Sequence, residues 1–363
     1  MENNRDKNGR TIVLTGGGTA GHVTPNMALI PHLKNIGFTN IHYVGTNGIE
    51  KELISGIEGV TFHEIPAGKL RRYISLKNLT DPFKVIKGIS ESKKILSEIR
   101  PDVVFSKGGY VSVPVVMAAA KIAPVVAHES DYTPGIATKI SAKFASRICV
   151  SFEDTLKCLP KGKAVHTGSP IRDALFEGNA ERGRQFLGFT SDKPVFMIMG
   201  GSLGAQAVNE AVRASLSELT ERFNIVHICG KGKADESFSN YAGYVQLEYV
   251  KEELPDIFAA ADIVLSRAGA NSVFELLALA KPSVLVPLPG KNSRGDQILN
   301  AAYFRSRGYS EVLTQELMTR DTLLKAVFDT YDNRETYINA MQADKTARDG
   351  LSNVLEVIKS QLR

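Results

Sequence analysis

Four short stretches of this sequence carry residue types at spacings suited to chemistry. The first is TIVLTGGGTAGHVTP, residues 11–25, where Gly16, Gly17 and Gly18 close a β-branched run. Residues without a Cβ let the chain turn sharply and let a ligand approach the backbone. Amides at the start of a following helix, with the positive end of its dipole, favour negative charge there. Gly16, Gly18 and Gly21 satisfy a G-x-G-x-x-G pattern. A dinucleotide site adds an acid about 20 residues on, at the end of the second strand. Here that strand, near Ile41 to Val44, ends in Gly45-Thr46-Asn47, so the turn is expected to do something other than hold NAD.

The second stretch is SKGGYVSVP, in which Gly108-Gly109-Tyr110 follow another strand and again invite close approach of a ligand to the backbone. In the third, His128, Glu129, Ser130 and Asp131 directly follow a buried apolar run. Ser130 or Asp131 reads as a helix N-cap, a role compatible with ligand contact. The fourth is SRAGANSVFE, residues 266–275, whose small residues lead from a strand into a helix and suit a diphosphate. Glu275, about one turn in, has two oxygens that could accept ribose hydroxyls; the plainer reading is a carboxylate favoured by the helix N-terminus. The polar, glycine-rich loop at 287–297 could close over a sugar.

Positioning these stretches requires strands that end where they begin. Buried apolar runs predict strands at Thr11 to Leu14, Val60 to Ile65, Asp102 to Ser106, Val125 to His128, Arg147 to Ser151 and Ala164 to Thr167, besides the one near Ile41 to Val44. Beyond an interdomain turn at Thr167 to Arg172 the alternation restarts, with strands at Pro194 to Met199, Ile225 to Cys229, Tyr244 to Leu247, Asp262 to Ser266, Pro282 to Val286 and Tyr309 to Leu313. The second series also opens on a glycine turn, Gly200-Gly201-Ser202-Leu203-Gly204. Strands without apolar/polar alternation, separated by helices, predict parallel sheets whose ligands sit beyond the strands' carboxyl ends. At 363 residues the chain is long enough for two such α/β halves.

Bulk properties exclude several classes. Cys149, Cys158 and Cys229 form no C-x-x-C pair and leave an odd count, against a disulfide framework or zinc site and in keeping with a reducing cytosol. The polar start MENNRDKNGR predicts no signal peptide, and the longest apolar stretch, Val111 to Ala127, is broken by Pro114, Lys121 and Pro124. A net charge of +5 permits an anionic surface without requiring nucleic acid. Between the third and fourth strands, Lys69, Arg71, Arg72, Lys77, Lys84, Lys87, Lys93 and Lys94 interleave with Ile74, Leu76, Leu79, Phe83, Val85 and Ile86. That pattern reads either as a helix with its apolar side in the core or as a patch for an anionic membrane surface.

GGGTAGHVTP, GGYVSVP, HES, GSPIR, GGSLGA and SRAGANSVFE, in this order over nearly the whole chain, resemble the MurG family. These glycosyltransferases move N-acetylglucosamine from UDP-N-acetylglucosamine to undecaprenyl-diphospho-N-acetylmuramoyl-pentapeptide, turning lipid I into lipid II for peptidoglycan. The resemblance implies an α/β GT-B fold, two Rossmann-like parallel-sheet domains facing a central cleft. Residues 1–170 would form the acceptor and membrane-facing domain, with 346–363 packing back onto it, and 171–345 the UDP-sugar domain. Carried over by motif, Thr19, Ala20, Gly21, Asp131, Arg172, Ser202, Val250, Ala270, Asn271, Ser272, Val273, Phe274, Glu275 and Gln297 would bind the donor. Gly17, Gly18, Gly108, Gly109, Tyr110 and His128 would take the acceptor. The chain departs from the family at Ser130-Asp131, where Gln-Asn is frequent, and at Asp296-Gln297, where Gln-Gln is.

The chemistry so implied is displacement at the sugar's anomeric carbon by an acceptor hydroxyl, with UDP leaving. A base takes the proton and fixed dipoles absorb charge on the diphosphate. His22 is the candidate base, with an ordinary pKa of about 6.5; a histidine after a glycine turn is also a common structural hydrogen-bonder, and Glu129 could orient or replace it. No D-x-D acidic pair stands in a suitable place, so neither a metal nor a cofactor is expected. The expected partners are UDP-N-acetylglucosamine, lipid I and the anionic cytoplasmic face of the membrane, where the protein would sit peripherally, with other cell-wall synthesis proteins as candidates and no nucleic acid. Two competing readings are a UDP-N-acetylglucosamine 2-epimerase-like GT-B enzyme and a non-enzymatic UDP-sugar-binding membrane scaffold.

Overall fold

The computed structural model describes residues 9–68, 77–201, 204–290 and 295–362, with 77–81 and 347 described in backbone alone. The chain forms two compact units, one from the segment up to Arg172 together with the stretch from Asp349 onward, the other from Asp173–Arg348.

The first unit is built on a parallel sheet of β1 (Arg10–Thr15), β2 (Phe38–Gly45), β3 (Val60–Glu64), β4 (Val103–Ser106), β5 (Val125–Glu129), β6 (Arg147–Val150) and β7 (Ala164–His166), in the order β3-β2-β1-β4-β5-β6-β7. Successive side chains of a strand point to opposite faces, and β1 shows why its run is apolar throughout. Ile12 and Leu14 enter one core with Leu29, Leu33 and Phe105, while Val13 enters the other with Val104, Val115 and Leu96. The helix Thr346–Lys359 completes the first of these cores with Leu351, Val354, Leu355 and Ile358. It is fastened there by Asn353 Nδ2, which donates to the Thr167 carbonyl at 3.1 Å.

The second unit repeats the plan with β8 (Val195–Met199), β9 (Asn224–Ile228), β10 (Tyr244–Leu247), β11 (Ala261–Ser266), β12 (Ser283–Leu285) and β13 (Glu311–Val312), in the order β10-β9-β8-β11-β12-β13. Phe196, Ile198, Ile225, Ile263 and Leu265 share its core with Leu323 and Val327 of the helix Arg320–Asp332. Strand order reverses between β1 and β4, where Thr15 pairs with Ser106, and between β8 and β11, where Met199 pairs with Ser266. Open α/β sheets bind ligands in the crevice that such a reversal leaves at the carboxyl ends of the strands.

Each strand lies where an apolar run predicts it, although β2 begins earlier, at Phe38, and β13 shrinks to two residues. The larger difference follows the first glycine turn. The helix expected directly after it is preceded by a 3₁₀ turn, Ala20–His22, and starts at Thr24. Pro25 sits in its first turn, where a missing amide costs nothing.

The helix Lys77–Ile99 divides the two readings of the basic stretch. Its later part is a core helix, with Leu96 buried and Gly88 pressed against the Pro66 carbonyl. Its earlier part is not, because Phe83 is 74% and Ile86 65% exposed, beside exposed Lys84 and Lys87. Lys69, Arg71, Arg72, Ile74 and Leu76, and the side chains of Lys77 and Leu79, lie outside the described residues.

Candidate active site

In the first unit the turns after β1 and β4 interlock around His22. Gly109 has φ +78°, and a Cβ there would collide with the Gly17 carbonyl and lie 3.3 Å from His22 Cγ. Gly18, at φ +85°, leaves no room between itself and the Tyr110 ring. Glycine at these two positions therefore serves both the left-handed backbone and the contact. His22 is half-buried, and its Nδ1 lies 2.9 Å from Thr19 Oγ1. The structure thus brings Gly17, Gly18, His22, Gly108, Gly109 and Tyr110 together, with Thr19, Ala20 and Gly21 exposed or half-exposed beside them.

The first glycine turn is not an empty anion cradle, which corrects the expectation from its sequence. Glu50, fully buried at the start of the helix Ile49–Ile54, reaches into it. Its Oε2 accepts the Gly18 amide at 3.2 Å, and its Oε1 accepts the Thr46 amide at 2.9 Å and the Thr46 hydroxyl. A Cβ on Gly17 would lie 2.6 Å from the Glu50 carboxyl carbon. Tyr43 closes the turn from the other side, its hydroxyl donating to the Gly16 carbonyl at 2.7 Å. The acid absent from the end of β2 stands five residues further on, where its carboxylate accepts from the glycine turn.

Behind the β4 turn, His128 and Glu129 are buried and already engaged. His128 Nδ1 faces Lys107 Nζ at 3.0 Å and its Nε2 faces the Gly168 carbonyl at 3.2 Å. Burial, then the Lys107 charge, hold its imidazole well below the usual value. His128 therefore supports the site from beneath rather than lining it. Glu129 Oε1 accepts the Asp131 amide at 3.0 Å and Oε2 the Gly135 amide at 2.9 Å. Its carboxylate ties down the loop ahead of the helix Ile136–Phe144, with both oxygens already engaged by backbone amides. Asp131 is half-buried in that loop, and Arg172 closes the unit after β7.

In the second unit, Gly269 caps the helix Ala270–Ala278, whose first intrahelical bond runs from the Val273 amide to the Gly269 carbonyl at 3.0 Å. The amides ahead of it point out of the helix end with the positive end of the dipole. Val273 and Phe274 are buried, Phe274 packing edge-on against Phe304 with centroids 5.6 Å apart. Their side chains are core, so Asn271, Ser272 and Glu275, all half-buried, form the face available to a ligand. Asn300 Nδ2 donates to the Ala268 carbonyl at 3.1 Å, and Gln297 Oε1 accepts the Leu288 amide at 2.9 Å. These bonds hold Gln297 and the 268–275 stretch in one neighbourhood. Val250 lies in the loop after β10, a strand three positions from β11 in the sheet. Ser202 lies outside the described residues.

Sequence reasoning passed over Glu50, Lys107 and Arg267. Arg267 is buried at the end of β11, where Nη1 donates to the Val286 and Pro287 carbonyls at 3.1 and 3.3 Å and Nη2 to Gln315 Oε1 at 2.6 Å. Burial lowers its pKa, yet an arginine stays charged, and this cation three residues before the helix N-terminus adds to the field that attracts an anion there. Lys107 and Arg267 each stand directly after a buried strand, a signal of position though not of partner, whereas Glu50 stands five residues beyond its strand. Among the described residues, no three His, Cys, Asp or Glu side chains converge to hold a metal ion.

Residues 12–150 match the glycosyltransferase family 28 N-terminal domain and residues 195–355 the family's C-terminal domain. The UDP-N-acetylglucosamine--N-acetylmuramyl-(pentapeptide) pyrophosphoryl-undecaprenol N-acetylglucosamine transferase of Clostridium tetani is 53% identical over 352 residues, 96% of this chain and 98% of that protein. The enzyme of the same name from Lachnoclostridium phytofermentans is 54% identical over the same shares of the two chains. Among solved structures, MurG of Acinetobacter baumannii superposes with a TM-score of 0.75 at 26% identity, over 97% of this chain and 99% of its own. A UDP-GlcNAc 2-epimerase of Neisseria meningitidis shares the fold, with a TM-score of 0.66 at 14% identity over 96% of this chain and 99% of that one.

Proposed function

The chain belongs to the MurG family of N-acetylglucosaminyltransferases, and on that premise we propose how its residues divide the work. It is a GT-B enzyme that transfers N-acetylglucosamine from UDP-N-acetylglucosamine to lipid I, forming lipid II in peptidoglycan synthesis. In our reading the first unit takes the lipid-linked acceptor and the second the UDP-sugar.

The observation that carries this division is the packing of the His22 ring on the turn Gly108–Gly109, beside Tyr110. It sets an imidazole where an acceptor hydroxyl bound along that turn can give up its proton. With Nδ1–H donating to Thr19 Oγ1, the lone pair stands on Nε2, the state a base requires. On the donor side, the helix at Ala270 and the buried Arg267 oppose the charge that develops on the departing diphosphate. Glu275 accepts ribose hydroxyls, and Asn271, Ser272 and Gln297 complete the nucleotide contacts. Thr19, Ala20 and Gly21 are assigned to donor binding by their motif alone.

No helix among the described residues is long and apolar enough to cross a membrane, yet the acceptor is lipid-linked. We assign the exposed Phe83 and Ile86, with Lys84 and Lys87 beside them, to reversible contact with an anionic membrane surface on its cytoplasmic face.

The test is transfer of radiolabel from UDP-N-acetylglucosamine to lipid I by the purified protein. Label in the lipid fraction is the expected result. Label that stays on UDP-sugar and epimerises without acceptor would overturn the reading in favour of a 2-epimerase.

A further inference from the structure

We infer that Lys107 is a positioning residue for the transfer, a reading that rests on the function proposed above: its ammonium, set directly before the Gly108–Gly109 turn on which the His22 ring packs, fixes the tautomer of His128 and clamps Ser130, and so holds the loop that presents Asp131.

The geometry is specific. Lys107 follows β4, is 1% exposed, and is anchored to the neighbouring strand by its own amide, which donates to the Thr15 carbonyl at 2.9 Å. Its Nζ donates to His128 Nδ1 at 3.0 Å and to Ser130 Oγ. An ammonium has only donors, so His128 must accept at Nδ1 and carry its proton on Nε2, where it donates to the Gly168 carbonyl at 3.2 Å. One cation thereby links the ends of β4 and β5 to the turn after β7. The loop it clamps begins at Ser130.

The charges around it come from several elements. Glu129 and Asp131 favour its proton from the β5 loop, and Cys149 does so from β6, while burial opposes the charge more strongly than all three support it. The balance brings the Lys107 ammonium down to about 8. His128, facing it, is likewise pushed away from protonation, by burial and by the Lys107 charge, and the Cys149 thiol is pushed up to about 12. Of these three groups the lysine is the one brought nearest to physiological pH. When it loses its proton, Glu129 and Asp131 lose the compensating charge, and the bonds to His128 and Ser130 lose their charge assistance.

Two measurements on the full chain test the inference. The first is kcat against pH at saturating substrates. Wild-type protein should show an alkaline limb near pH 8; Lys107→Met should lower kcat at pH 7.5 about tenfold, the equivalent of one charge-assisted hydrogen bond, and abolish the limb. Ser130→Ala, which leaves the lysine in place, should lower kcat less and keep the limb. An unchanged limb in Lys107→Met overturns the inference.

The second readout needs no activity. In protein carrying ¹⁵N-labelled histidine, the His128 Nδ1 resonance should move with a midpoint near pH 8 in wild type and lose that midpoint in Lys107→Met. A His128 that shows the Nδ1–H tautomer, or no midpoint in wild type, also overturns it. Absence of transfer to lipid I in wild type would sink the functional reading instead, and the Nδ1 midpoint would still decide whether Lys107 sets His128.

Discussion

The carboxylate of Glu50 accepts the amide of Gly18 at 3.2 Å, so a side chain from beyond β2 fills the turn that follows β1. Removing it takes the acceptor from the Gly18 and Thr46 amides, which are exposed and half-buried and can turn to water, so the cost is about 0.5–1.5 kcal/mol per lost bond. Glu50→Ala should therefore shift the urea midpoint down, and Glu50→Gln should shift it less, because an amide oxygen still accepts one bond. An alanine variant that unfolds at the wild-type midpoint would show that the turn holds itself.

His22 is expected to act on turnover. His22→Ala should lower kcat by about 10²- to 10⁴-fold, the span for a positioned general base, with UDP affinity by calorimetry nearly unchanged. Near-normal kcat at saturating acceptor would make the ring a spacer between the two glycine turns. Because both Glu129 oxygens hold backbone amides, Glu129→Gln should then be read first for stability and only second for rate.

Glu275→Ala should weaken UDP binding by about 1.5–3 kcal/mol, the range for hydrogen bonds to a charged group. The effect should be equal for UDP and UDP-N-acetylglucosamine, since the ribose is common to both. Unchanged UDP affinity sinks the ribose assignment.

Replacing Phe83 and Ile86 together by Ser should reduce sedimentation with anionic liposomes while leaving the melting temperature and UDP affinity in place, because both side chains are largely in solvent. Salt should weaken attachment of the unaltered protein, each basic residue near such a surface contributing about 1 kcal/mol. If the double variant melts early instead, these residues are packing and attachment comes from elsewhere.

A buried histidine in the second unit links stability to acid. His227 is buried, with Nδ1 2.7 Å from the Tyr244 hydroxyl and Nε2 3.0 Å from Asn209 Oδ1. Burial, then Arg213, push its pKa down to about 3. The folded value lies below the unfolded one of about 6.5, so the folded state binds fewer protons between them. Its contribution to stability is whole above about pH 6.5 and is lost as pH falls toward 3, by up to about 1.4 kcal/mol per unit. Urea midpoints of wild type should fall between pH 7 and 4.5 more steeply than those of His227→Gln. Parallel slopes would mean that another group governs acid loss.

The strands were legible because a parallel sheet covered on both sides demands unbroken apolar runs, and Ile12, Val13 and Leu14 satisfy two cores at once. The glycine turns were legible for the same local reason. What was not legible depends on contacts between distant segments. Nothing in Gly45-Thr46-Asn47-Gly48 announces that Glu50 folds back 32 positions to Gly18, and nothing in SKGG announces that Lys107 meets His128 and Ser130. Phe274 illustrates the converse: inside a motif read as ligand-binding, the side chain belongs to the core, because a helix that offers its end to a ligand must still bury one face.

The helix Thr346–Lys359 has a consequence for how the protein is made. The sheet of the first unit is complete when β7 has been synthesised, yet the side holding Ile12, Leu14, Leu29 and Leu33 lacks Leu351, Val354, Leu355 and Ile358. At about 5–20 residues per second the interval before those residues appear is on the order of 10–40 s. A ribosome-bound chain thus carries an open apolar face on its oldest part while its youngest part folds, a natural place for a chaperone to hold. A chain cut after Arg348 would keep every residue of the second unit while the first lacked Leu351, Val354, Leu355 and Ile358, so the integrity of the first unit rests on residues made after the second.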